Sequence, residues 1–241
     1  MQTVLLTRSQ ADCETLSRQL HAVGVDGLIS PMITIHPMPD WQSRIQPGAG
    51  GLIFTSRHSL HVSASHEALK HLPLFVVGGQ TAELAEQLGF QTPRHVAASA
   101  SALAKYFHEA SNVPRHLLYL SGENIKRNFT HELAEEGIKV QRVITYRAEA
   151  ADHINDTAIS ILKQHRLHGI VFYSSRTAEI FLKLLRPMGL DKDITEQCPA
   201  FCLSESIADT CHALGYAGPL LVAPSADSYG MITRIRRHFN L

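Results

Sequence analysis

The chain has 241 residues, of which 44% are hydrophobic and 18% are charged, a composition typical of a globular protein rather than a disordered one. Lysine and arginine number 22, and aspartate and glutamate also number 22, so there is no global basic field to attract nucleic acid. No apolar run approaches the length of about 18 residues that suggests a membrane span. We therefore expect neither nucleic acid nor a membrane as a partner.

Short apolar runs alternate with helical patterns from one end of the chain to the other. Most of these runs are continuously apolar, which is typical of strands buried on both faces of a parallel sheet. In chain order the predicted strands are 4–7, 27–35, 52–55, 74–77, 117–120, 140–146, 170–173, 200–203 and 220–223. Strand and helix in alternation predict an α/β fold whose parallel sheets are covered by helices.

Segments of the first half of the chain recur, in the same order, in the second half. The matching pairs are LLTRSQ with LLYLSGEN, GLIFTSRHS with GIVFYSSRT, VGGQTAELAEQLGF with LSESIADTCHALGY, and HVAASASALAKYF with LVAPSADSYGMITRI. The order of the matches favours an internal duplication whose halves meet near 113–116. A duplicated chain suggests a ligand held between two similar lobes.

Two further segments, 34–40 and 143–152, each follow the first strand–helix–strand unit of their half. Pro37 and Pro39 make the first of them extended and unsuited to a helix. Paired side by side, these segments would form a two-stranded connector between lobes.

Polar or glycine-containing turns follow six of the predicted strands. These turns should lie at the carboxyl ends of the strands, where open α/β sheets bind their ligands. The turns are Thr7-Arg8, Thr55-Ser56-Arg57, Gly78-Gly79-Gln80, Ser121-Gly122-Glu123-Asn124, Ser174-Ser175-Arg176 and Ser204-Glu205-Ser206. Free N–H groups at the helix starts that follow them would bind anionic groups. Arg8, Lys126 and Arg176 would add charge-assisted bonds. Each turn taken alone is also explained as a helix cap.

The two turns that open the most similar segments differ in one donor. Thr81 adds a hydroxyl to the first, whereas Ile207 stands at the matching position of the second. We therefore expect Ser206 to be the donor in the second turn.

Cysteine and histidine patterns do not predict a metal site. Cys202 falls in a predicted buried strand and Cys211 on a predicted helix, which favours core thiols over zinc ligands. The four cysteines, Cys13 and Cys198 included, are too few for a disulfide scaffold. Together with an N-terminus that begins a strand at once, they favour a reducing, cytoplasmic compartment. P-loop, dinucleotide-binding and nucleophile-elbow patterns are also missing from the sequence.

As an ordered set, these segments resemble the uroporphyrinogen-III synthase family. The motifs that carry the resemblance are FTS at 54–56, VVGGQTA at 76–82, LSGEN at 120–124, TYR at 145–147, LSESIADTCHALGY at 203–216 and VAPSAD at 222–227. The resemblance spans nearly the whole chain.

The resemblance implies two similar flavodoxin-like α/β lobes with parallel sheets, joined by a two-stranded β-ladder. One lobe would contain 1–35 with 149–241, and the other would contain 36–148. The implied reaction, a step of haem biosynthesis, closes the linear tetrapyrrole hydroxymethylbilane to uroporphyrinogen III, with inversion of ring D and loss of water. Left alone, this substrate closes without inversion to the type I isomer. Neither a cofactor nor a metal is implied, and we expect a monomer that has the small-molecule substrate as its partner, with handover by the preceding pathway enzyme left open.

Tyr146 is the candidate catalytic residue. In the family an equivalent tyrosine faces the cleft and is thought to assist loss of the substrate hydroxyl. A phenol stays protonated at neutral pH and can donate to a departing oxygen. The alternative is a connector tyrosine that packs its ring and leaves its hydroxyl in water.

Two other functions fit the fold and the turns. One is a non-catalytic, two-lobe binding protein for a small anionic ligand. The other is a nucleotide or sugar-phosphate enzyme on a flavodoxin-like lobe.

Overall fold

The computed structural model describes residues 1–125 and 127–241, which fold into strands joined by helices. The strands are β1 (Gln2–Leu6), β2 (Val25–Ile29), β3 (Ile33–Pro37), β4 (Gly51–Phe54), β5 (Leu74–Val77), β6 (His95–Ala97), β7 (His116–Gly122), β8 (Lys139–Ala150), β9 (Gly169–Phe172), β10 (Ala200–Cys202) and β11 (Leu220–Val222). The helices are α1 (Gln10–His21), α2 (Arg57–Ser63), α3 (Glu67–Lys70), α4 (Gly79–Gln87), α5 (Ala100–Glu109), α6 (Phe129–Glu132), α7 (Asp156–Lys163), α8 (Ser175–Leu185), α9 (Asp191–Gln197), α10 (Glu205–Ala213) and α11 (Ser228–Phe239). Single 3₁₀ turns occur at Trp41–Arg44 and Arg186–Met188.

The chain divides into two compact units, Met1–Thr34 with Glu149–Leu241 (the first unit) and Ile35–Ala148 (the second unit). The chain leaves the first unit within β3 and returns to it within β8, and these two strands are neighbours in one sheet.

The first unit is built on a parallel sheet with the strand order β11-β10-β9-β1-β2. Numbered by their order along the chain, its strands run 5-4-3-1-2, which is the flavodoxin-like order. One face of the sheet packs on α7, α8 and α10 through residues such as Leu162, Phe181 and Cys211. The other face packs on α1 and α11 through Leu16 and Ile235. Burial of both faces explains why these strands are continuously apolar in the sequence.

The second unit is built on a sheet with the order β3-β8-β7-β4-β5-β6, and β4 to β8 are mutually parallel. The two faces of its core contain Leu60 of α2 and Phe107 of α5, respectively. The predicted α/β class with parallel sheets is therefore confirmed.

Two strand predictions were wrong. The single run predicted at 27–35 is interrupted after β2 and resumes as β3, with Ser30, Pro31 and Met32 between them. Strand β6 was not predicted, because it has only three residues and lies at a sheet edge where Val96 is 45% exposed. A short, half-exposed edge strand leaves no continuous apolar run in the sequence.

Strands from matching sequence segments occupy equivalent positions in the two sheets. β4 and β9 lie third from the β6 and β11 edges, respectively, with β5 and β10 on one side and β7 and β1 on the other. The duplicated halves nevertheless do not fold separately, since each unit combines strands from before and after the repeat boundary. Matching segments of the repeat therefore occupy matching positions in the two sheets, although the chain runs from the first unit to the second and back again.

A glycine beside a phenylalanine recurs in the two sheets. Gly51 begins β4 and Gly169 begins β9, and each lies beside an aromatic ring of the neighbouring strand, Phe75 and Phe201 respectively. A Cβ at Gly169 would lie 2.4 Å from Cε2 of Phe201, whereas a Cβ at Gly51 would lie 3.2 Å from Cε2 of Phe75 and 3.0 Å from Leu117. Each glycine makes room for the ring, and the fit is tighter in the first unit.

We expect Gly169→Ala to lower the free energy of unfolding by about 1–3 kcal/mol, the usual cost of overpacking a core. Gly51→Ala is the matched control in the other unit and should cost less, because its nearest neighbours are farther away. Urea denaturation of both variants measures the difference. Equal stabilities, or a larger loss at Gly51, would contradict this account.

All four cysteines are free and buried, as the sequence predicts. Burial raises the pKa of Cys13 to about 12, and burial likewise raises the pKa of Cys198 to about 12. Both thiols are therefore protonated and unreactive at neutral pH.

Within residues 1–125 and 127–241, no helix is long and apolar enough to cross a membrane.

Candidate active site

A cavity of about 380 Å³ lies in the second unit, where β4, β5, β7 and β8 reach the carboxyl edge of the sheet. It brings together several residues that the sequence singled out and others that it did not. The lining residues are Thr55, Ser56, Val77, Ala100, Tyr119, Gly122, Asn124, Ile125, Arg127 and Tyr146. The cavity therefore brings together residues from five separate segments of the sequence.

Two phenol–hydroxyl pairs contribute to the polar lining of this cavity. The Thr55 hydroxyl lies 2.9 Å from the Tyr119 hydroxyl, and the Ser56 hydroxyl lies 2.9 Å from the Tyr146 hydroxyl. Burial raises the pKa of Tyr119 above its usual value, an effect partly offset by the hydrogen bond with Thr55. The Tyr119 phenol is thus neutral at physiological pH and can donate or accept a hydrogen bond.

Tyr146 reaches the cavity because β8 contains a β-bulge. The parallel register pairs Ser121 with Ile144 but Gly122 with Tyr146, so that Thr145 is left over. Alternating strand side chains would place Thr145 and Tyr146 on opposite faces of the sheet. Instead, Thr145 bonds Ser59 of α2 at 3.3 Å, and the Tyr146 ring lies edge-on to the His58 ring of the same helix, 5.5 Å between centroids. Bulges commonly re-aim a side chain in this way next to active sites.

The start of α4 presents unpaired N–H groups at the same edge of the sheet. Its N-cap residue, Gly78, has φ +88°, a conformation that favours glycine. Because glycine has no side chain, the helix start has no side-chain cap. Among the described residues, none accepts a hydrogen bond from the N–H groups of Gly79 or Gln80, and both residues are exposed. Thr81 is buried beneath this turn.

Ser121 and Arg127 support the walls of the cavity. Ser121 is buried, and its hydroxyl donates to the Gly122 carbonyl at 3.0 Å rather than lining the cavity. The Arg127 guanidinium pairs with Glu132 and donates to the Ser101 hydroxyl at 2.8 Å. Lys126, also expected to bind substrate, lies outside the described residues.

The equivalent edge of the first unit contains the other predicted turns. The Ser174 hydroxyl caps α8 by accepting a hydrogen bond from the Thr177 N–H at 3.2 Å. This is the helix-capping role that the sequence offered as the alternative to ligand binding. The Ser175 hydroxyl lies 2.9 Å from that of Thr210, which donates to the carbonyl of Ser206 at 2.8 Å. The bond between Ser175 and Thr210 links the start of α8 to the middle of α10.

Helix α10 resembles α4 in having no side-chain cap. The Ser204 and Ser206 hydroxyls lie 3.2 Å from one another, and among the described residues none accepts from the N–H groups of Glu205 or Ser206. The Glu205 carboxylate stands in the first turn of the helix. The matching sequence segments therefore share an open helix start, although the turn in the first unit carries an acidic residue.

Arg8, one of the two arginines of the first unit that the sequence predicts to bind substrate, is engaged with the protein itself. Arg8 forms an ion pair with Asp12 at 2.9 Å, and its guanidinium carbon lies 4.2 Å from the ring centroid of Tyr173. Arg176 is exposed on the first turn of α8. Arg8 would therefore have to share its charge between Asp12 and a ligand.

Comparison with known proteins identifies the family. The family model described as uroporphyrinogen-III synthase HemD matches residues 14–233. The chain belongs to the uroporphyrinogen-III synthase family. It is 27% identical over 206 residues to a uroporphyrinogen-III synthase of Synechococcus elongatus, which covers 78% of this chain and 77% of the relative.

Members of the uroporphyrinogen-III synthase family with solved structures share the fold. The Helicobacter pylori protein aligns with a TM-score of 0.63 at 15% identity, covering 99% of this chain and 100% of its own. A mutant of the Thermus thermophilus enzyme aligns with a TM-score of 0.59 at 15% identity, covering 100% of this chain and 99% of its own.

Sequence reasoning missed Tyr119 and Arg127 as cavity residues. Tyr119 falls in the middle of an apolar run and is only 2% exposed, so it is typical of a core residue in sequence. The one available signal was the position of Tyr119 within its strand. Because successive side chains of a strand point to opposite faces, Tyr119 lies on the other face of the sheet from Leu118 and Leu120. Arg127 follows a polar turn, and nothing in the local pattern distinguishes it from a surface cation.

Proposed function

We propose that this chain catalyses the closure of hydroxymethylbilane to uroporphyrinogen III, as its family does. The observation that carries this proposal is the family match over residues 14–233. In the reaction the carbon–oxygen bond of the substrate hydroxyl breaks and a new carbon–carbon bond closes the ring. Inversion of ring D also breaks the bond between this ring and its neighbouring methylene carbon, and that methylene carbon bonds to the other α-carbon of ring D. That hydroxyl leaves as water after taking up one proton, and the pyrrole carbon that gains a new bond loses one proton as the ring regains aromaticity, so the reaction balances without an oxidant or a reductant.

We propose Tyr146 as the proton donor to the departing hydroxyl. Its phenol lines the cavity, and the Ser56 hydroxyl at 2.9 Å orients it. General-acid assistance of this kind is worth about 10²–10⁴-fold in rate. The remaining acceleration would come from holding the flexible chain in one folded shape, which favours one closure over the other.

The turns at the carboxyl edges are proposed as binding groups for the substrate carboxylates. In the second unit the open start of α4 and the hydroxyls and amides around the cavity support this role, because aligned N–H groups and the helix dipole favour anions. The proposed binding residues there are Thr55, Ser56, Gly78, Gly79, Thr81, Gly122, Asn124 and Lys126. Ser121, which the sequence also predicted, is buried and bonded to the Gly122 carbonyl, so it supports the turn instead. In the first unit they are Arg8, Ser174, Ser175, Arg176, Ser204 and Ser206.

The compartment and the assembly state are part of the same proposal. Four free, buried thiols are consistent with a reducing compartment, and we propose a cytoplasmic monomer. Delivery of the unstable substrate by the preceding enzyme of the pathway would be transient.

Incubation of the purified protein with freshly made hydroxymethylbilane tests the proposal. The cyclised products are oxidised to porphyrins and the isomers are separated by chromatography. We expect the type III isomer to predominate with protein and the type I isomer to predominate without it. A product that is type I alone in the presence of protein would refute the proposed function.

A further inference from the structure

We propose that Arg142 is a positioning residue that sets the Tyr146 phenol in the cavity by locking the β-bulge between β7 and β8. This inference rests on the proposed function, because it assigns Arg142 an effect on the reaction through Tyr146. Its basis is a chain of contacts that runs from the guanidinium to the end of β7 and from there to the phenol.

Arg142 holds three successive residues at the end of β7. Its Nε–H donates to the Ser121 hydroxyl at 2.9 Å. Its Nη2 donates to the carbonyl of Gly122 at 2.8 Å and to the carbonyl of Glu123 at 2.6 Å. A planar guanidinium offers these donors in a fixed fork, which a flexible ammonium group cannot reproduce.

The residues that Arg142 holds are the ones that contact Tyr146. The Glu123 N–H donates to the Tyr146 carbonyl at 2.9 Å, which extends the ladder past the bulge. Gly122 lies against the ring, since a Cβ there would come within 2.6 Å of Cζ and 2.8 Å of the hydroxyl oxygen of Tyr146. A movement of this turn therefore moves the phenol with it.

Thr145 secures the other side of the bulge. It is fully buried, and its hydroxyl lies 3.2 Å from the carbonyl of Ser121, the residue of β7 after which the register shifts. The bulge is thus held by Thr145 on one face of the sheet and by Arg142 on the other. Arg142 is the better of the two residues to substitute, because its side chain is only partly buried whereas that of Thr145 is buried.

A purely structural explanation is that Arg142 satisfies carbonyl groups at a strand end and nothing more. In that case its loss would lower stability and would act on catalysis independently of the Tyr146 hydroxyl. If Arg142 instead positions the phenol, its loss should matter only while that hydroxyl is present. A double-mutant cycle separates these explanations, because coupled residues are non-additive.

The experiment measures kcat, KM and the fraction of type III product for wild type, Arg142→Ala, Tyr146→Phe and the double variant. We expect Arg142→Ala to lower kcat about tenfold, since small misplacements of a reacting group are costly. In the Tyr146→Phe background the same change should have no further effect on kcat. Arg142→Lys keeps the charge but loses the fork, and it should give an intermediate kcat.

Arg115→Ala is the matched control. Arg115 also donates from its guanidinium to a backbone carbonyl, that of Glu136 at 2.8 Å, but it immediately precedes β7 at the opposite end of that strand. We expect this variant to keep the kcat of wild type. If Arg142→Ala proves unfolded by circular dichroism, Arg142→Lys is used in the cycle in its place.

The outcomes distinguish the two proposals. A wild-type protein that yields only type I product would refute the proposed function itself. Wild-type activity with additive losses in the cycle, or with an unchanged kcat in the Arg142 variants, would overturn the positioning role alone. A loss confined to KM or to thermal stability would overturn it as well.

Discussion

Replacement of Tyr146 by phenylalanine should lower kcat about 10²- to 10⁴-fold while the protein remains folded, because it removes a general acid but keeps the packed ring. The lost hydrogen bond to Ser56 costs only about 0.5–1.5 kcal/mol of stability. Ser56 still accepts the His58 N–H at 3.2 Å, so its oxygen keeps a protein partner. Steady-state kinetics with isomer separation, together with thermal unfolding, measures the two effects.

Tyr119→Phe is the matched control for this prediction. It removes a second phenol hydroxyl from the same cavity, one that is also 2.9 Å from a neighbouring hydroxyl. Because Tyr119 is almost completely buried, its loss should affect stability more than kcat. An unchanged kcat in Tyr146→Phe, or an equal fall of kcat in both variants, would remove Tyr146 from the chemical step.

The sequence was sufficient to predict the parallel sheets because burial on both faces leaves a direct trace. Strands such as β4 and β9 consist of buried residues only, and they are continuously apolar in the sequence. The positions of the polar turns follow from the same trace, since each turn begins where an apolar run stops. Strand ends and candidate binding turns are therefore local properties of the chain.

The orientation of Tyr146 could not be predicted, because it depends on the register between two strands. Nothing in the segment around Thr145 indicates that this residue is the one left unpaired. The bulge depends on contacts with Ser121 and Ser59, which are distant in sequence. The role of Arg142 was missed for the same reason, since two of its acceptors lie on β7 and the third, Glu123, follows that strand directly.

The duplication predicted the equivalence of strands but not their distribution between the units. Matching segments imply matching positions in a sheet, and the strand orders agree with this. Which copy of a strand joins which sheet depends on the path of the chain through β3 and β8. That path is not encoded in the similarity between the halves.

The open start of α4 can be tested without altering any side chain that binds substrate. Gly79 is the first residue of the helix, where proline is tolerated because its missing N–H has no partner within the helix. The preceding Gly78 has ψ 136°, a value that a following proline favours. A Cβ at Gly79 meets nothing within 4 Å, so both alanine and proline have room to begin their side chains there.

We therefore expect Gly79→Pro to raise KM for hydroxymethylbilane about 10- to 100-fold, the value of about 1.5–3 kcal/mol for a hydrogen bond to a charged group. Gly79→Ala retains the N–H and should leave KM unchanged. Both variants should unfold at temperatures close to that of wild type, because the helix loses no internal bond. If the two variants have the same KM, the amide of Gly79 does not bind a substrate carboxylate, whatever the hydroxyls of the cavity contribute.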